Sequence, residues 1–98
     1  MQVLTKKEND KLIVTVSGRM DTVSAPELDK AIKDNLGDAQ ELILDLSGMS
    51  YTSSAGLRVL LVAHKMMSQK GGMKVTGVNE SVMEVLDITG FSDILNIE

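Results

Sequence analysis

Leu42 to Val62 reads LILDLSGMSYTSSAGLRVLLV: an apolar run, a turn of small residues carrying Ser50, Ser53 and Ser54, and a second apolar run with helical spacing. A strand that passes through such a turn into a helix presents a hydroxyl beside a helix N-terminus, where free backbone N–H groups and aligned peptide dipoles favour negative charge. Ser54 is therefore the first candidate functional residue. Leu42-Ile43-Leu44-Asp45-Leu46 is nearly continuous in apolar character, the pattern of a central parallel strand covered on both faces.

Upstream, KLIVTVSG at residues 11–18 alternates Leu12, Val14 and Val16 against Ile13, Thr15 and Ser17, which favours a strand. A short strand from Gln2 to Thr5, turned at Glu8-Asn9-Asp10, is expected to pair with it as a hairpin. Ser24-Ala25-Pro26-Glu27 reads as a capping box with Pro near the first helical position. The helix that follows is expected to bury Leu28, Ala31, Ile32 and Leu36 and to stop at Gly37. Downstream, a second helix runs from Ser54 to Gln69 and ends at Gly71-Gly72. Met73 to Gly77 makes a strand, and Asn79 caps a third helix that carries Val82, Val85 and Leu86 and ends at Gly90. Ile94 to Ile97 reads as a last short strand. The order β-β-α-β-α-β-α-β implies βαβ crossovers and an α/β fold, a mixed four- to five-stranded sheet with helices packed on it in two layers. With no internal repeat or linker, residues 1–98 form a single domain.

Composition narrows the function. Ninety-eight residues with 43% hydrophobic content suit one compact core, burying roughly 65% of the unfolded-chain surface. Aliphatic residues and seven Met fill it, because Tyr51 and Phe91 are the only aromatics. Ten Lys and Arg against fourteen Asp and Glu leave a net charge of −4, with no basic cluster beyond Lys6-Lys7, so no nucleic-acid partner is expected. The absence of Cys excludes disulfides and thiolate metal sites and suits a reducing compartment. A lone His64 argues against a transition-metal site. The N-terminal MQVLTKKEND lacks the apolar stretch of a signal peptide, and no run approaches the roughly 20 residues that span a bilayer. A cytoplasmic protein without membrane insertion, cofactor or metal is the expectation.

Placing residues at 100° per step from Leu57 puts Gly56, Val59, Leu60, Ala63 and Met67 on one apolar arc. Ser54, Arg58, Leu61 and Lys65 fall on the opposite side. Arg58 lies one turn from Ser54, close enough for a charge-assisted contact with a phosphate there. Leu61, flanked by Val62, is an apolar spot on that polar face and reads as a partner surface beside a modifiable Ser. Ser54 has a second reading as the plain N-cap of this helix. Thr52 and Ser53 read as turn formers, and Gly56 leaves room for another backbone to approach Ser54.

A Ser54 hydrolase is not expected. A nucleophilic Ser needs a base within hydrogen-bond reach, and His64 lies roughly 15 Å away along the same helix. There is no G-x-S-x-G elbow. Asp45 and Asp21 approaching the turn would make only a weak Mg²⁺ site, without phosphate-cradling glycines. No catalytic residue is assigned.

Ser50-Tyr51-Thr52-Ser53-Ser54-Ala55-Gly56-Leu57-Arg58-Val59-Leu60-Leu61, preceded by Leu44-Asp45-Leu46, resembles the signature of STAS domains, specifically the small stand-alone anti-sigma factor antagonists of bacteria. Gly18-Arg19-Met20-Asp21 is similar to the family's Gly-x-x-Asp marker at the end of an early strand. The resemblance covers nearly the whole chain. It implies a switch in which the unmodified antagonist captures an anti-sigma factor that is also a serine kinase, freeing the sigma factor. The kinase phosphorylates the signature Ser, and a PP2C-type phosphatase restores it. Matching Gly56-Leu57 to the motif places the acceptor at Ser54. Many members carry Asp immediately before it, where this chain has Ser53, so Ser53 is the alternative acceptor. The implied partner surface comprises Asp21, Thr52, Ser53, Ser54, Gly56, Arg58, Leu61 and Val62, on a protein that is a monomer when free. Asp21 also reads as a loop carboxylate capping local N–H groups. A second functional reading is a STAS interaction subunit of another complex, in lipid transport or stress signalling.

Overall fold

The computed structural model describes residues 1–98. β1 (Gln2–Glu8) and β2 (Lys11–Met20) form an antiparallel hairpin, α1 (Ala25–Leu36) leads to β3 (Glu41–Thr52), α2 (Ser54–Met67) leads to β4 (Met73–Thr76), and α3 (Glu80–Thr89) precedes a short 3-10 turn at Phe91–Asp93. The strands lie in chain order across the sheet, and β2-β3 and β3-β4 are both parallel. Parallel crossovers share one hand, so two that step the same way place their helices on the same face. On that face Leu12, Val14 and Val16 of β2 and Leu42, Leu44 and Leu46 of β3 are fully buried. Leu28 of α1, Leu60 and Met67 of α2 and Leu86 of α3 join them in one core.

The opposite face stays half open, since Ile13, Ile43 and Asp45 are only partly buried. The expectation that β3 is covered on both faces is therefore corrected: the fold has two layers. Ile43 is the register partner of Ile13, and this cross-strand pair accounts for its apolar side chain without a second helix layer. The last strand expected over Ile94 to Ile97 contracts to one parallel bridge between Val75 and Ile97. Ile94 is helical instead, closing the 3-10 turn through its N–H to the Phe91 carbonyl, which leaves too few residues to extend a strand. Smaller departures are a β1 that reaches Glu8, an α2 that stops at Met67, and an Ala31 that is half-buried.

The capping box is not formed. A side-chain cap needs an extended residue to aim its oxygen at the first turn, but Ser24 is helical (φ −88°, ψ −23°) and makes no such bond. Only its carbonyl accepts the Glu27 N–H, at 2.9 Å. Its hydroxyl is turned back into the preceding loop, accepting the Asp21 N–H at 2.9 Å.

β3 also runs further than its sequence suggests. The register with β2 slips between Thr15 and Ser17 and again between Gly18 and Arg19, each time with an extra residue on β3. Each bulge shifts the alternation by one, so after Leu46 the buried positions are Met49 and Thr52, with Ser47, Gly48, Ser50 and Tyr51 outside. Ser50 is therefore a strand residue and not part of a turn. On β2, Gly18 holds a positive φ of 92° at the second slip, a backbone state that glycine adopts without cost.

α3 is fixed at both ends. The Asn79 side-chain oxygen accepts the Val82 N–H at 2.9 Å, and its amide donates to the Met49 carbonyl at 2.6 Å; Gly90 closes the helix in the left-handed region. One side chain thus caps α3 and ties it to β3. Asn79→Ala is expected to lower the unfolding free energy by about 1–2 kcal/mol in urea titration. Asn79→Ser, which keeps a capping oxygen and loses the amide donor, should recover part of that loss.

Candidate functional site

The β2–β3 ladder ends with Met20 opposite Thr52, and one further bond runs from the Ser53 N–H to the Met20 carbonyl at 2.8 Å. This places the loop after β2 beside the first turn of α2. Ser53 is extended (φ −98°, ψ 175°) and is the N-cap, its Oγ accepting the Gly56 N–H at 3.4 Å, a long bond. Ser54 is the first residue of α2 and is exposed. Its hydroxyl makes no hydrogen bond within the chain. The capping role weighed for Ser54 thus belongs to its neighbour.

Thr52 and Gly56 lie beneath this surface. Thr52 is 5% exposed and ends a strand, so it is not a turn residue. Gly56 is buried, and a Cβ there would stand 2.6 Å from Thr52 Oγ1 and 2.7 Å from Met20 Cε. The missing side chain lets α2 seat on the strand ends, and no room is left for a second backbone. Neither residue offers a side chain to a partner.

Asp21 organises the neighbouring loop. Its Oδ1 accepts the Val23 N–H at 3.0 Å and the Ser24 N–H at 2.9 Å. The Ser24 hydroxyl proton is shared between the Arg19 carbonyl and this carboxylate, 2.9 and 3.0 Å away. The carboxyl is held below the ordinary aspartate range, first by the Ser24 N–H, then by the Ser24 hydroxyl, with smaller help from the Val23 N–H and the Arg19 charge, against a small opposing effect of burial. Local capping is therefore its observed work.

Beside it the Arg19 guanidinium lies 4.3 Å from the centre of the Tyr51 ring, a cation–π contact between register partners. Sequence reading missed this pair. Counting residues from Leu44 puts Tyr51 out of step with Arg19, and only the bulges align them. Tyr51 is 42% exposed, so the stack forms part of the surface.

On α2, Arg58 is exposed, Leu61 is half-buried, and Val62 is 39% exposed. Arg58 and Val62 both line a groove of about 300 Å³ between α1 and α2. No local pattern marks this groove, because the packing of α1 against α2 is not written in either helix alone. Asp45 takes no part in the site. It lies seven residues before Thr52 on β3, roughly 20 Å away at strand rise, and its Oδ1 accepts the Ser47 N–H at 3.0 Å. It cannot join Asp21 around a cation, and no three metal-ligating side chains cluster anywhere. His64 is ten residues beyond Ser54 on α2, out of reach as a base. No helix is long and apolar enough to cross a membrane.

The family model described as STAS domain matches residues 2–98. The anti-sigma-B factor antagonist of Bacillus subtilis is 31% identical over 98 residues, covering 99% of this chain and 90% of that protein. The anti-sigma F factor antagonist of Paenibacillus polymyxa is 31% identical over 102 residues, covering 99% and 86%. Among solved structures, an anti-sigma factor antagonist from Mycobacterium paratuberculosis superposes with a TM-score of 0.88 at 26% identity, covering 98% of this chain and 83% of that one.

Two substitutions test the geometry. Gly56→Ala is expected to destabilise the fold by about 1–3 kcal/mol in urea titration, although alanine is the better helix former. Asp21 is bonded as a carboxylate, so the stability it lends is complete above its unfolded value near 3.8 and is lost as pH falls through its lower folded value. The stability gap between wild type and Asp21→Ala should accordingly stay flat from neutral pH to about pH 4 and narrow below it. An unchanged gap at about pH 2 would show that the charge plays no part.

Proposed function

The chain belongs to the STAS domain family, and on that premise we propose that it is an anti-sigma factor antagonist switched by phosphorylation of Ser54. Unmodified, it binds an anti-sigma factor that is also a serine kinase, and the sigma factor is released. The kinase transfers the γ-phosphoryl group of ATP to Ser54 Oγ, leaving ADP, and docking is lost; a PP2C-type phosphatase hydrolyses the ester and restores binding. The chain acts by binding and not by catalysis.

The observation that supports this reading is the contrast between two adjacent hydroxyls. Ser53 Oγ is engaged by the Gly56 N–H, whereas Ser54 is exposed at the first position of α2 with its oxygen unengaged. The groups around it that a partner can touch are Asp21, Ser53, Arg58, Leu61 and Val62.

A phosphate adds about −1.5 to −2 charges at neutral pH. Beside free N–H groups at a helix N-terminus that charge is favourable, so α2 stays folded. Its cost falls on docking, where a doubly charged group must be desolvated or repelled. A loss of about 3 kcal/mol weakens binding roughly a hundredfold.

Incubation with the kinase and ATP should add one phosphate, with Ser54→Ala abolishing it and Ser53→Ala retaining it at a stability cost of about 1 kcal/mol. Tandem mass spectrometry that places the label on Ser53 overturns the assignment. Ser54→Asp should weaken kinase binding strongly while leaving the melting temperature nearly unchanged.

A further inference from the structure

We infer that the groove between α1 and α2 seats a partner segment that carries one carboxylate among apolar side chains, with Arg58 as its counter-ion. A phosphate on Ser54 breaks that contact by drawing the same guanidinium to itself. This deepens the switch proposed above and rests on it.

The groove walls are Ala25 and Pro26 of α1 and Ala55, Val59 and Val62 of α2. Its volume, about 300 Å³, stands at the lower end of small-molecule pockets, room for a few side chains of a docked segment. Three charged residues line it, and two of them neutralise each other: Lys33 Nζ lies 3.1 Å from Asp29 Oδ2 one turn away. Arg58 is in no ion pair within the chain. The surface thus offers apolar walls and one uncompensated cation. An incoming Lys or Arg would meet a like charge, and a wholly apolar segment would leave the guanidinium desolvated and unpaired. A segment with a single Asp or Glu flanked by apolar residues satisfies both features.

Ser54 stands one helical turn before Arg58, a spacing at which side chains on a helix meet. A guanidinium holds phosphate through two parallel hydrogen bonds. Because the phosphate is tethered to the same helix, it competes at high effective concentration with any carboxylate arriving from another molecule. Phosphorylation then acts twice, repelling the partner's carboxylate and occupying its counter-ion, with no movement of the fold.

Two measurements judge this, and Arg58 is exposed, so its substitution leaves the core intact. In the first, phosphoserine is encoded at position 54 and its second ionisation is followed by phosphorus NMR. The titration midpoint should lie at lower pH in the wild type than in Arg58→Ala, with Arg58→Lys between them. Identical midpoints overturn the competition. In the second, the purified serine-kinase-type anti-sigma factor of the same organism is titrated calorimetrically into the unphosphorylated protein. Arg58→Ala should weaken binding about tenfold and Arg58→Glu about a hundredfold. Hydrogen exchange in the complex should show protection in the first turns of α1 and α2. Wild-type affinity in Arg58→Glu, or protection confined to other elements, overturns the docking assignment while the antagonist reading stands. A wild-type protein that does not bind the kinase at all brings down the antagonist reading and the docking assignment together, and the phosphorus titration still judges the contact between Arg58 and the phosphate.

Discussion

The pairing of Met20 with Thr52, extended by the Ser53 N–H to the Met20 carbonyl, is the contact on which the candidate surface depends. It is made of backbone, so it holds whatever side chains the surface carries. It brings the end of β2 beside the start of α2 and so makes neighbours of Asp21 and Ser54, which are far apart in the chain. The two bulges on β3 set where that pairing falls. Without their two extra residues Thr52 would not lie opposite Met20, and Met49, which lies between the two slips, would face outward instead of into the core.

From this junction a division of labour follows among small residues that look alike in sequence. Ser53 is extended and spends its oxygen on the cap. Ser54, the first residue of α2, is exposed and its hydroxyl makes no hydrogen bond within the chain. Thr52 is buried, and Gly56 is bare because Thr52 and Met20 fill the space where a methyl would go. The exposed hydroxyl is therefore held by a base that is itself fully packed. At the rim, Asp21 and Ser24 bond to each other and Ser24 to the Arg19 carbonyl, which orders the loop after β2.

Much of this was legible in the sequence where one physical rule acted alone. The helices followed from apolar spacing, α3's cap and stop from Asn79 and Gly90, and the mixed sheet with its crossovers from strands alternating with single helices. What failed did so where two rules competed. The Ser24-x-x-Glu27 pattern suits a capping box, but Asp21 three residues earlier offers the Ser24 hydroxyl and N–H a better set of partners in the loop. Ser47 to Thr52 looks like a turn because bulges spoil the alternation that identifies a strand. Ile43 suggested a second covered face, although a cross-strand isoleucine accounts for it. At the site, Ser54 and Arg58 could be read from helical spacing. The Arg19–Tyr51 stack and the groove between α1 and α2 depend on register and helix packing, which no local pattern encodes.

The placement of the proposed phosphoacceptor also bears on its energetics. A side chain that caps a helix contributes about 1 kcal/mol to folding, so modifying Ser53 would tax the fold whenever it altered binding. Modifying Ser54 would separate the two. A negative charge at the first helical position interacts favourably with the helix dipole, by about 0.3–1 kcal/mol, while the same charge at an interface costs several times more. Under the proposed switch the folded state would thus be preserved, or slightly favoured, in both forms, and the difference between them would fall almost wholly on docking. On that proposal, a hydroxyl one residue past the cap would let the domain signal by surface charge alone, with the capping bond of Ser53 left in place.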